Sequence, residues 1–120
     1  DQAQKYLQKA ADIYMSKENV EDAEEILNEI LAIGTDTVNV FNSLGVLYRK
    51  KGEPKTALKH YMKAIKVHPQ EPYIHYNIGR LHLDMKDPVN AKKHFSMAVN
   101  IKPDFEEARE VLNAIELGTV

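Results

Sequence analysis

Apolar residues along this chain recur at helical spacing. Leu7, Ala10, Ala11 and Tyr14 fall at i, i+3, i+4 and i+7, so residues 2–17 are predicted to form a helix with one apolar stripe. Ala23, Ile26, Leu27, Ile30 and Leu31 make a second stripe, with Asn19 placed to cap the helix that carries it. Glu21, Asp22, Glu24 and Glu25 crowd its first turns, where the helix dipole favours acids, and Gly34 stands where a helix should stop. A third helix, about 38–50, sets Phe41, Leu44, Gly45 and Tyr48 inward. Gly52 makes a turn, and Pro54 opens a fourth helix at the position where a missing N–H costs nothing. That helix, 54–67, carries Ala57, Leu58, Tyr61, Ala64 and Ile65 and ends at His68-Pro69. The fifth, about 72–85, repeats the third, and the sixth runs from Pro88, behind Asp87 as N-cap, to near Lys102-Pro103. In a seventh, 104–117, Ala108, Val111, Leu112 and Ile115 form a single stripe.

The series is periodic. Phe41-x-x-Leu44-Gly45-x-x-Tyr48, Ala57-x-x-x-Tyr61-x-x-Ala64 and Pro69 return 34 residues later. The second copy reads His75-x-x-Ile78-Gly79-x-x-His82, Ala91-x-x-x-Phe95-x-x-Ala98 and Pro103, and Pro54 matches Pro88. A fixed period of this size marks a repeat architecture. Gly45 costs roughly 1 kcal/mol of helix propensity. A helix keeps such a residue where another backbone must come close, and the following helix is the expected partner.

These residues resemble the tetratricopeptide repeat family, whose pattern is a large aromatic, Leu-Gly, Tyr, then Ala, an aromatic, Ala and Pro. The resemblance covers nearly the whole chain as repeats 4–37, 38–71 and 72–105. The first is faint, keeping Ala11, Tyr14, Ala23 and Leu27 but placing Ile30 and Thr35 where Ala and Pro belong. One hairpin cannot bury its own apolar face, but stacked hairpins can. The expectation is one all-α domain over 1–120. It would be a right-handed superhelix of three stacked helix-turn-helix repeats plus a C-terminal capping helix, 104–117, with a polar outer face.

Composition narrows the function classes. The 120 residues are 43% apolar and 28% charged, as in an ordinary globular domain, and no run is long and apolar enough to predict a membrane span. With no Cys there is no disulfide, thiol nucleophile or cysteine metal site. The chain starts at Asp1 and is read as a piece of a longer protein, with a cytoplasmic location expected. The net charge of −2 hides an acidic–basic–acidic pattern. Residues 1–36 set three lysines against nine acids, and 104–120 set Arg109 against five. Between them, Arg49, Lys50, Lys51, Lys55, Lys59, Lys63 and Lys66 face only Glu53 over 49–66.

No catalytic constellation is legible. The serines lie on predicted helices outside any G-x-S-x-G elbow, and no Gly-rich phosphate loop is present. An enzyme, a cofactor and a metal site are therefore not expected. His75 and His82 occupy consensus aromatic positions and are expected to be packed. Seven residues apart on one helix, they are about 10 Å from each other, too far to share a metal without a third ligand. His60 and His94 are repeat equivalents.

Each first helix of a pair carries a second, polar stripe. On the third helix it is Asn39, Asn42, Ser43, Val46, Arg49 and Lys50. On the fifth it is Tyr73, Tyr76, Asn77, Arg80, Leu83 and Asp84, and on the first Lys5, Gln8, Lys9, Asp12, Met15 and Ser16. The resemblance implies that these positions line a concave peptide-binding groove. Asn amides pair with peptide backbone, Arg takes carboxylates bidentately, and Tyr offers contact area at low entropic cost. Asn39, Asn42, Arg49, Tyr73, Tyr76, Asn77 and Arg80 are the expected contact set. Family members that clamp a C-terminal carboxylate need Lys, Asn and Arg at places held here by Gln8, Asp12, Ser43, Tyr73 and Asn77, so that mode is not expected. The expected function is a non-catalytic scaffold or adaptor for a protein partner. The competing expectation is self-association through the charged convex surface or the terminal repeats. Nucleic acid is not an expected partner, because no aromatic residue interleaves the lysine patch and the pI is about 6.2.

Overall fold

Proline and glycine punctuation divides the chain into helices of nearly equal length. The computed structural model describes residues 20–34 and 37–120, and among these all regular structure is helical. The elements are α1 (Val20–Ile33), α2 (Thr37–Lys50), α3 (Pro54–Val67), α4 (Pro72–Asp84), α5 (Pro88–Ile101) and α6 (Glu106–Glu116). The helix expected over 2–17, its polar stripe and the Asn19 cap lie outside the described residues. Pro54, Pro72 and Pro88 each open a helix at its first position. Asp87 caps α5 as expected, its carboxylate accepting from the Asn90 backbone N–H.

The two hairpin turns are copies of each other. Gly52 N–H donates to Arg49 O and Glu53 N–H to Tyr48 O; 34 residues on, Lys86 N–H donates to Leu83 O and Asp87 N–H to His82 O. This geometry needs a left-handed residue. Gly52 supplies it at φ 79°, whereas Lys86 adopts φ 59° despite its side chain.

By contact the chain divides into two compact units, Asp1–Ala64 and Ile65–Val120. In the first, Ala23, Leu27 and Ile30 of α1 pack with Val40, Leu44 and Leu47 of α2. An exposed Lys51–Glu24 ion pair of 3.2 Å ties the end of this hairpin to α1. In the second, Ala91, Phe95 and Ala98 of α5 join Phe105 and Ala108, and Val111, Leu112 and Ile115 of α6 lie over them. The apolar stripe of α6 is thus the one read from the sequence. Its start differs: Phe105, expected inside the helix, is the N-cap residue, and its side chain is pulled into the core at 5% exposure.

The buried faces of α2 and α4 are wider than expected. Val40 and Leu47 are fully buried beside Leu44 and Gly45, while Phe41 and Tyr48 are only half-buried. Ile74 and Leu81 repeat this on α4. On α2 the reason is double duty, with one stripe meeting α1 and another meeting α3. The glycines also differ from expectation in what they accommodate. A Cβ on Gly45 would lie 2.3 Å from the ring of Tyr61, and one on Gly79 would lie 2.9 Å from Phe95. The close neighbour comes from the following helix, but it is an aromatic ring and not the backbone.

Candidate functional site

Pro72 starts α4 so that Tyr73, Tyr76, Asn77 and Arg80 follow at i, i+3, i+4 and i+7 on one flank. α5 ends at Ile101, and the extended Lys102 turns the chain back toward that flank. Phe105 is carried inward and α6 begins directly behind it. A cavity of about 500 Å³ results, lined by Tyr73, Tyr76, Asn77, Lys102, Asp104, Phe105, Glu106 and Glu107. Phe105 is its floor, with its ring centre 5.0 Å from those of both Tyr73 and Tyr76, in tilted contacts. Tyr76 also meets Phe95 edge-on at 5.6 Å, which anchors the cluster in the core.

Cations already use these rings. Lys102 Nζ donates to the Tyr73 hydroxyl at 2.6 Å and lies 4.9 Å from the Tyr73 ring centre and 5.6 Å from that of Phe105. The Tyr73 hydrogen bond holds the Lys102 ammonium above the usual lysine range. The Arg80 guanidinium sits 5.8 Å from the centre of the Tyr76 ring. Asp104, Glu106 and Glu107 rim the cavity and are exposed.

Of the expected contact set, Tyr73, Tyr76 and Asn77 are therefore brought together, with Arg80 beside them. Asn39, Asn42 and Arg49 lie on α2 in the first unit, Asn39 exposed and the other two half-buried. Each has interactions of its own. Nearby, the Tyr48 hydroxyl and Lys51 hold the Glu24 carboxyl below the usual range. Lys102, Asp104, Phe105, Glu106 and Glu107 were not among the expected site residues. The available signal was Phe105, which precedes Ala108 by three residues and Leu112 by seven and so extends the apolar stripe of α6 back to the turn.

Histidines at the aromatic positions are packed, as expected. His75 is 3% exposed and its Nε2 lies 2.9 Å from the Pro69 carbonyl. A carbonyl only accepts, so Nε2 carries a proton. His75 Nδ1 is 3.3 Å from His94 Nδ1. The ring centres are 5.6 Å apart with planes 21° from parallel, the separation expected when the two nitrogens point at each other. With Nε2 turned to Pro69, His75 is left to share a single proton with His94 across the two Nδ1 atoms. Burial, with help from His75, His82 and Lys93, pushes His94 down to about 4. Among the described residues no group of three or more metal-binding side chains is placed to hold an ion.

A pH dependence follows. Between the ordinary histidine value of 6.5 and about 4, the unfolded chain takes up a proton that folded His94 refuses, so stability falls as pH drops through this window. For a half-exposed ring the loss is roughly 1–2 kcal/mol after solvent screening. Thermal midpoints measured from pH 7 to 4 should fall less steeply in His94→Phe than in the parent. Parallel curves would show that His94 does not carry the effect.

Comparison with known proteins places this geometry. Residues 45–86 match a family model described as TPR repeat, and residues 72–105 match one described as tetratricopeptide repeat; together they span just over half the chain. No curated protein matches the sequence. Among solved structures, PcrH from Pseudomonas aeruginosa is similar with a TM-score of 0.88 at 18% identity, over 97% of this chain and 93% of that one. The Yersinia enterocolitica type III secretion chaperone SycD, in complex with a peptide of the translocator YopD, gives 0.86 at 19% identity, over 100% and 97%. The Sgt2 TPR domain from Aspergillus fumigatus gives 0.88 at 15%, over 99% and 80%. At these identities the likeness shows the fold. Among the described residues no helix is long and apolar enough to cross a membrane.

Proposed function

The chain belongs to the tetratricopeptide repeat family, and from that premise we propose that it is a non-catalytic adaptor that holds an extended segment of a partner protein. The observation that carries this reading is the aromatic cleft on α4, where Tyr73 and Tyr76 present ring surface over Phe105 and Asn77 places an amide at the wall. An extended segment has unpaired backbone groups, which an amide satisfies in both directions, and rings give contact area without much loss of rotamer freedom. The proposed contacts are Tyr73, Tyr76, Asn77 and Arg80 on α4, with Asn39, Asn42 and Arg49 on α2 offering the same chemistry. Two similar structures support it, since SycD was solved with a peptide of YopD and PcrH with the chaperone binding region of PopD.

Self-association is the second reading, and the charge pattern supports it. Lys55, Lys59, Lys63 and Lys66 are exposed on α3, and Glu21, Asp22, Glu25 and Glu29 are exposed on α1. One comparative pull-down separates the two. The baits are the parent chain, Asn77→Ala/Arg80→Ala, Asn42→Ala/Arg49→Ala and Lys55→Glu/Lys59→Glu/Lys63→Glu, each first shown to be helical by circular dichroism. The adaptor reading expects a partner lost, by at least about tenfold in recovery, with an asparagine–arginine variant and kept by the lysine variant. Loss with the lysine variant alone, together with a sedimenting mass that falls as salt rises, would transfer the function to assembly.

A further inference from the structure

We propose that the α4–α6 cleft is an arginine pocket: it takes the guanidinium of an arginine in the partner segment, laid on the rings and paired with the acidic rim. This rests on the adaptor reading and specifies its ligand. Three observations meet here. The cleft offers three mutually packed rings, Tyr73, Tyr76 and Phe105, whose faces attract cations. The protein's own Lys102 ammonium already lies over two of those rings, and Arg80 covers the third. The lining charge is acidic, with Asp104, Glu106 and Glu107 against Lys102. Among the described residues none of the three acids is in a salt bridge, and each is exposed, so a guest can pair with them.

Glu106 and Glu107 have a simpler role as first-turn acids that complement the helix dipole of α6. That role does not need Asp104, and it does not need an aromatic wall facing the acids. Arginine suits the cleft better than lysine because it is planar. It can stack on a ring while its edge takes a carboxylate through two N–H donors. Lys102 keeps Tyr73 oriented from one side, and its long flexible stem can swing toward Asp104 or Glu107 when a guest arrives. An acidic guest would meet three carboxylates across the cavity and be disfavoured.

The probe is a random dodecapeptide library displayed on phage and selected against the full chain. Selected peptides are then synthesised and titrated calorimetrically against the parent, Tyr73→Ala/Asn77→Ala and Asp104→Asn/Glu106→Gln/Glu107→Gln. The expected result is enrichment of arginine among the selected peptides and about tenfold weaker binding by both variants. Replacing the enriched arginine by glutamine should lose as much, and by lysine less. Peptides that lose affinity with Tyr73→Ala/Asn77→Ala, yet show no arginine preference and ignore the acid-to-amide variant, overturn the arginine assignment and leave the adaptor reading standing. Peptides indifferent to both variants, or a selection that yields no binder, overturn both.

Discussion

Replacing Phe95 by alanine lowers stability by about 3–5 kcal/mol and the thermal midpoint by roughly 15 °C. Phe95 is fully buried in the cluster of Ala91, Ala98, Phe105 and Ala108. It is the ring against which Gly79 is cut back, and it supports Tyr76 edge-on. Its loss opens a cavity the backbone cannot close, because the hairpin is set by the turn at Lys86 and by the Asp87 cap. Phe95→Leu keeps most of the volume and should cost about half as much. Met97 on the same helix is 39% exposed, and Met97→Ala serves as the control. Circular dichroism melts of the three variants check the order. A Phe95→Ala midpoint equal to that of Met97→Ala would refute the packing described.

The second large effect belongs to Gly45. Alanine improves helix propensity by about 1 kcal/mol, yet its methyl would lie 2.3 Å from the Tyr61 ring, which is 1% exposed and would have to shift within the core. Gly45→Ala should therefore cost roughly 2–3 kcal/mol net. At Gly79 the nearest Phe95 atoms are 2.9 Å from the added methyl, so that buried ring must also shift but by less, and Gly79→Ala should cost roughly 1–2 kcal/mol. The double variant Gly45→Ala/Tyr61→Leu should regain part of the loss through coupling between the two sites. Urea unfolding of the parent, these three variants and Tyr61→Leu alone tests this. Equal costs at the two glycines, or strictly additive behaviour in the double variant, would contradict a ring-filled gap.

Periodicity made the helices legible because each is punctuated within the chain. Pro54, Pro88 and Gly52 act locally, and the expected bounds of 54–67 for α3 match those observed. The glycine–aromatic pairing was legible as spacing, but not as contact. Gly45 and Tyr61 are 16 residues apart, and only the crossing of two helices shows that the ring, not the backbone, fills the space. The widened core face was missed for a related reason. Val40 and Leu47 serve a second neighbour, and the pattern of a single helix reports only the stronger of two stripes. At the candidate site, Tyr73, Tyr76, Asn77 and Arg80 could be read from α4 alone. Lys102 could not, since its partner Tyr73 lies 29 residues away and nothing local marks the lysine as turned inward. The His75–His94 pair was half legible. Both positions were flagged separately, but their hydrogen bond depends on the rotation of α5 against α4.

The same glycine–ring contacts bear on how fast the chain acquires its structure. Each is closed inside one hairpin over a short loop, so the entropy lost in making it is small. All-helical chains dominated by such local contacts fold in microseconds to milliseconds. During synthesis the α2–α3 hairpin can set Gly45 on Tyr61 once Val67 has left the ribosome, before the α4–α5 hairpin is complete. Each repeat thus hides its aromatic residue as it emerges, which shortens the time in which Tyr61 and Phe95 are available for misdirected association.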